Sequence, residues 1–390
     1  MFSMMKGLLI TEKGMEQTAL QEIIELISAE ASASERVVVF EAKSYEQLFR
    51  LCYLSQSAYK VLALFNTFSI KNTLDKDLAS IKKAIDSADY GNILPKKFSF
   101  RVNCQRIGEQ EYNSLDIDRE AGAMILEHFK CSSVVMESPD IIFYLFINEN
   151  TGYFGLDLSG TDLSKRAYKI FNHPQALKGP VGFHLLKMAE VKAKDVILDP
   201  FCGSGVIPIE AAICLKGFPV RFYNKEFQFL KLKKIDAEKF FKSIDSKIKK
   251  TKPRIFCFDK EFHYVNAAKK NAKIAGIDKD IEFSRLDIEW LDTKFDKESV
   301  DRIITNPPRA SFRTDVKLTE KTYNEFFYQA EFVLKKNGHI IMICDDSTLL
   351  KKCADNKGFR LHAESDIWSG SKQLNVLEFR KDLNTKKRNR

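Results

Sequence analysis

The stretch that most constrains the fold is "VILDPFCGSGVIPIEAA", residues 196–212. A short apolar strand ends in Asp199, a Gly-Ser-Gly turn follows, and a helix begins without delay. Gly203 and Gly205 allow the backbone to approach a ligand with no Cβ in the way. The turn lacks the third glycine of the dinucleotide fingerprint and has no Gly-Lys-Ser/Thr, so neither that fingerprint nor a Walker A loop fits. From here on, apolar strands alternate with helical stretches: residues 196–199, 255–259, 281–286, 302–305, 339–344 and 375–380 read as strands. That order predicts a parallel, doubly wound α/β sheet, in which ligands bind beyond the carboxyl ends of the strands.

The strand ends carry polar residues suited to a nucleoside. "RIFCFD" ends in Asp259, where a carboxylate can accept hydrogen bonds from both ribose hydroxyls. The same residue could simply cap the helix that follows. A third strand places Asp287 at its end, followed by Ile288. The fourth, "DRIITNPP", delivers Asn306, Pro307 and Pro308 to the same edge. An exocyclic base amine is a poor nucleophile because its lone pair is delocalised into the ring. An Asn carbonyl and the backbone carbonyl of Pro307 can accept its two N–H bonds and aim the lone pair outward. Paired prolines stiffen such a loop and keep its carbonyls out of a helix. Chemistry of this kind runs on positioning and electrostatics, with no nucleophilic Ser or Cys and no metal.

The first 160 residues read as two small α/β units. A β-α-β-α-β series over residues 1–66 predicts a ferredoxin-like packing, with helices over 12–29 and 44–58. A second unit, 67–160, has helices over 74–88 and 114–129, the latter with Leu115, Ile117, Ala121, Ile125 and Leu126 at apolar positions. It closes with a strand pair joined at "ENTG". A connector (161–180) leads into the doubly wound domain (181–383), and a basic tail occupies 384–390.

Composition narrows the class further. No apolar run reaches the roughly 18 residues of a membrane helix, and "MFSMMKGLLITEKG" lacks a secretory leader's apolar core, which predicts a soluble, cytoplasmic protein. The eight cysteines show no CxxC spacing and no His cluster, so no structural metal is expected. The formal net charge is +9. Residues 225–254 hold 11 Lys/Arg against four Asp/Glu, a stripe suited either to a polyanion or to a plain solvated face.

Residues from about 165 to 380 resemble the Rossmann-fold domain of the THUMP-containing RNA guanine-N2-methyltransferases. The likeness rests on "DPFCGSG", on NPP in its place after the fourth strand, on "HPQALKGPVGFHLLKMAEV" before the glycine turn, and on "SGSKQLNVLEFRK" as a last hairpin. "FSFRVNCQRIGEQEYNSLDIDREAGAMILEHF" and the strands after it resemble the THUMP domain. The resemblance implies a SAM-dependent methyltransferase acting on RNA, most simply tRNA near its acceptor stem and alternatively ribosomal RNA. A binding protein that keeps the fold is a further alternative, and NPP-type loops also serve adenine and cytosine amines. It implies that Asp199, Pro200, Gly203, Ser204 and Gly205 line the SAM pocket, with Asn306 at its edge. Asp259 with Lys260 would meet the ribose, and Asp287 with Ile288 the adenine. Asn306, Pro307, Pro308 and Arg309 would form the catalytic loop. THUMP and basic groups such as Arg101, Arg106 and the 225–254 stripe would bind RNA, with the protein acting as a monomer. Two residues depart from the family pattern. Val206 stands where Thr is usual, and Arg309 replaces an aromatic that stacks on the target base. A guanidinium plane or Phe312 could do that stacking.

Overall fold

The structure is a computed structural model that describes residues 5–130, 132–309 and 315–382. Phe312 and the basic tail lie outside the described residues. The chain forms two compact units.

The first unit contains the chain up to Thr11, Ala19–Leu163 and Asn224–Ser246. Its strands are β1 (Met5–Ile10), β2 (Ala31–Ser34), β3 (Val37–Ala42), β4 (Lys60–Ser69), β5 (Phe98–Ile107), β6 (Ser132–Val134), β7 (Ile141–Asn148) and β8 (Thr151–Asp157). They make one eight-stranded sheet in the order β2-β3-β1-β4-β8-β7-β5-β6. The two N-terminal units anticipated from sequence are therefore continuous. β4 pairs with β1 through its first residues and with β8 from Leu62 to Ser69, so a boundary at residue 66 falls inside a strand. β2 was not anticipated, because "ASAS" has no apolar alternation. It pairs with β3 across a turn in which Arg36 adopts φ 65°. The helix expected to reach residue 58 ends at Leu54, where Ser55 and Ser57 turn to hydrogen-bond the buried Glu22. On Ser114–His128, Ile117, Ala121 and Ile125 are buried, whereas Leu115 and Leu126 face solvent.

Residues 224–246 were expected in the doubly wound domain but pack in the first unit. Beneath their lysines lies an aromatic face. Phe229 stacks on Phe49 at 4.3 Å, Phe241 meets Tyr53 at 4.8 Å, and the Tyr53 hydroxyl donates to Asp245 at 2.7 Å. Burying such rings contributes about 1.5–3 kcal/mol each, which outweighs the sequence continuity with the neighbouring segment.

The second unit holds Glu12–Thr18, Ser164–Tyr223 and the chain from Lys247. Its strands are β9 (Val196–Asp199), β10 (Arg254–Asp259), β11 (Ile281–Arg285), β12 (Val300–Thr305), β13 (Leu334–Cys344), β14 (Phe359–Ser369) and β15 (Lys372–Lys381). The order is β11-β10-β9-β12-β13-β15-β14. The first five strands run parallel, and β15 runs antiparallel to β13 and β14. Both sheet faces are apolar. Ile197, Ile255, Ile304 and Ile341 meet helices Gly179–Met188 and Val206–Lys216 on one side. Val196, Leu198, Ile303 and Met342 meet Val316–Val333 on the other. From β9 the chain winds outward to β11, then returns to β12 on β9's other side. The cleft at this reversal, beyond the strand ends, is where an open α/β sheet receives a ligand.

Candidate active site

Asp199 closes β9 at the bottom of this cleft and is 2 % exposed. Its Oδ1 accepts the Thr305 hydroxyl at 2.6 Å and the Phe201 N–H at 3.2 Å. Burial pushes its carboxyl up to about 7, against the lowering effect of those hydrogen bonds. No cation among the described residues pairs with it. Asp259 closes β10. Its Oδ2 accepts the Gly203 N–H at 3.0 Å and its Oδ1 the Glu261 N–H at 2.9 Å, while burial raises its carboxyl above the usual range. The Asp259 carboxylate thus fixes the glycine turn and holds Glu261, the residue that precedes helix Phe262–Ala275.

The turn glycines have different reasons. At Gly203 (φ 51°) a Cβ would come within 3.1 Å of the His173 ring. At Gly205 (φ 84°) it would lie 2.8 Å from the Ala268 Cβ. Gly203 therefore lets the loop of His173 close over the turn, and Gly205 lets helix Phe262–Ala275 approach. Gly205 is thus a packing glycine, and its missing side chain faces a helix. Asn271, fully buried, ties these parts together. Its amide donates to the carbonyls of Phe171 and Ser204 and accepts from the Phe171 N–H. His173 packs edge-on against Tyr264 at 4.3 Å, and burial lowers its basicity.

A narrow pocket beside this turn is lined by Asp199, Gly203, Ser204, Gln175 and Asn306. Ser204 Oγ is buried there without a partner. It continues into a cleft of about 390 Å³, lined by Pro200, Asp259, Lys260, Asp287, Ile288, Asn306, Pro308 and Arg309 among others. Asp287 and Lys260 are exposed, whereas Ile288 is buried. Pro307 is buried and does not line the cleft.

At the far side, Asn306 follows β12. Its amide nitrogen donates to the Gln175 carbonyl at 2.8 Å, and its Oδ1 accepts Arg309 Nη2 at 3.1 Å. Arg309 Nη1 pairs with Asp345, which Lys372 also contacts. The guanidinium, one of the two groups offered for stacking on the base, is held edge-on by these two acceptors. Tyr323 donates to the Pro308 carbonyl at 2.7 Å and fixes the loop.

The chain matches the RMKL-like methyltransferase domain over residues 166–374 and the THUMP domain over residues 75–157. It belongs to the RMKL-like methyltransferase family. A tRNA (guanine(6)-N2)-methyltransferase of Methanocaldococcus jannaschii is 27 % identical, covering 87 % of this chain and 90 % of that protein. The ribosomal RNA large subunit methyltransferase K/L of Acinetobacter baumannii is 25 % identical, over 82 % of this chain but 46 % of its own length. The solved structure of TrmN from Thermus thermophilus aligns over 97 % of this chain and 99 % of its own with a TM-score of 0.72 at 22 % identity. SMU.472, solved in complex with SAH, gives 0.81 at 18 % identity, covering 98 % and 99 %. These two likenesses show the fold.

The methyltransferase domain therefore uses SAM, and its cleft fits the molecule. A buried carboxylate without a cation and an orphaned Ser204 hydroxyl meet the needs of an amino-acid end. Asp259 and Asp287 offer acceptors to a ribose and an adenine amine. His173, Asn271, Thr305, Tyr323 and Asp345 escaped the sequence reading. Each acts through partners far away in sequence, as with Asn271 and Phe171, 100 positions apart. Of the basic groups proposed for RNA, several are engaged internally. Lys225 pairs with Asp245, Lys231 donates to the Pro139 carbonyl, Arg101 to the Met136 carbonyl and Arg106 to Gln110. Among the described residues no helix is long and apolar enough to cross a membrane.

Proposed function

We propose that this methyltransferase transfers the SAM methyl group to the exocyclic N2 amine of a guanosine in tRNA, in the cytoplasm. The observation that carries the reading is the placement of Asn306 at the end of β12, lining the same pocket as Asp199. SAM supplies an electrophilic methyl on a sulfonium. Asp199 holds the ammonium of its amino-acid end, Asp259 and Lys260 its ribose, and Asp287 and Ile288 its adenine. Asn306 Oδ1 accepts an N–H bond of the amine. The lone pair then points at the methyl, the N–C bond forms as the C–S bond breaks, and the amine proton passes to water. Positioning of this kind supplies most of the acceleration.

A tRNA rather than a ribosomal substrate is favoured by coverage. The archaeal tRNA relative is matched along 90 % of its length, the K/L relative along less than half. The THUMP domain supplies the RNA-binding surface, and exposed lysines of the 225–254 stripe supplement it. The test is nucleoside mass spectrometry on unmodified tRNA incubated with protein and labelled SAM. A labelled N2-methylguanosine at one mapped nucleotide is expected. Label in adenosine or cytidine, or in ribosomal RNA alone, would replace this substrate with another, and no label in any RNA would leave a binding protein.

A further inference from the structure

Arg309 carries information about the base that belongs in its place. Its fork donates one N–H, from Nη2, to Asn306 Oδ1 at 3.1 Å and another, from Nη1, to Asp345 Oδ1. The N1–C2–N2 edge of guanine is itself a guanidine, with two N–H donors in a plane at the same spacing as an arginine fork. Asn306 and Asp345 follow the neighbouring parallel strands β12 and β13, whose register sets Thr305 beside Met342. The two acceptors therefore sit on adjacent strand ends, and the pair they hold is a guanidinium.

We infer that Asp345 is the acceptor for guanine N1–H beside the N2–H held by Asn306, and that Arg309 occupies these two acceptors until the base displaces it. This rests on the guanine-N2 reading above. Asp345 then selects the base. Guanine places an N–H donor next to its amine. Adenine places the N1 lone pair next to N6, and cytosine the N3 lone pair next to N4, so each would set a lone pair against the carboxylate. A site built to hydrogen-bond a substrate N–H rejects an analogue without it strongly. Lys372 holds the other oxygen of Asp345 and keeps the carboxylate turned toward Arg309.

The test uses the full chain and a tRNA carrying either guanosine or 2-aminopurine at the nucleotide that mass mapping identifies. 2-Aminopurine keeps the 2-amine but replaces N1–H with a lone pair. Wild type should prefer guanosine by at least about a hundredfold in kcat/KM. Asp345→Asn, whose amide can turn its NH2 toward a lone pair, should bring the two substrates within about tenfold while SAM binding by calorimetry is retained. An Asp345 that only braces the loop predicts that both substrates slow together, and an unchanged ratio in Asp345→Asn overturns the inference. Equal rates on the two substrates by wild type overturn it without any variant. No methylation of guanosine by wild type removes the functional reading together with this one.

Discussion

The two ends of the cleft are prepared in opposite ways. At the β9–β10 end, Asp199 and Asp259 are locked by backbone N–H groups and the Thr305 hydroxyl, and no cation among the described residues forms an ion pair with them. At the β12–β13 end, both polar atoms of Asn306 already have partners, one the Gln175 carbonyl and one Arg309. The first end is preorganised and strained by burial, so a cationic ligand relieves it. The second is satisfied, so a base must compete for it. Cofactor binding and base methylation should therefore respond to different mutations.

The largest effect is expected at the base end. Asn306→Ala removes the amine acceptor and should lower kcat for methyl transfer about 1000-fold in a single-turnover assay. SAM affinity, read by calorimetry, should change far less. Equal loss of both would mean that the two ends are one site. Next comes Asp199→Asn, which should weaken SAM about 100-fold by removing a buried charge partner. The same change should stabilise the ligand-free protein. The folded carboxyl sits near 7, above its unfolded value, so the native state loses stability as pH rises toward and through 7. Asp199→Asn should therefore melt higher than wild type at pH 8, and this gain should vanish near pH 4. A lower melting temperature at pH 8 would show that burial does not strain this carboxylate.

Much of the cofactor end was legible in the sequence because its chemistry is local. A strand, an acid and two glycines within ten residues leave few other structures. The amine loop was legible for the same reason, since two prolines after an apolar strand admit little else. What escaped was held by distant partners. Nothing in "KNAKIAG" marks Asn271 as the tie between the His173 loop and Ser204, and nothing near Asp345 announces Arg309. The aromatic face of residues 224–246 lay in plain sight as Phe229, Phe240 and Phe241, but the lysines around it point equally to RNA. The single N-terminal sheet was hidden because β4 carries β1 on one edge and β8 on the other, a tertiary pairing that strand propensity does not encode.

Two smaller effects sharpen the comparison. SAM affinity of wild type should fall about tenfold per pH unit below 7, because the ammonium needs Asp199 ionised, and about one proton should be released on binding at pH 6. A flat profile from pH 5 to 8 would remove Asp199 from the ammonium site. Arg309→Phe restores a stacking ring and frees Asn306 Oδ1, so KM for tRNA should fall about 3- to 10-fold. A rise in KM would mean that the guanidinium itself stacks on the base.

The claim that the base end is held shut by the chain's own arginine is tested most directly by a crystal structure with SAH and the target tRNA. The account predicts guanine N2 on Asn306 Oδ1, guanine N1 on Asp345, and the Arg309 fork displaced from both. Arg309 still bridging Asn306 and Asp345, with the guanine seated in the cleft beside it, would contradict the account.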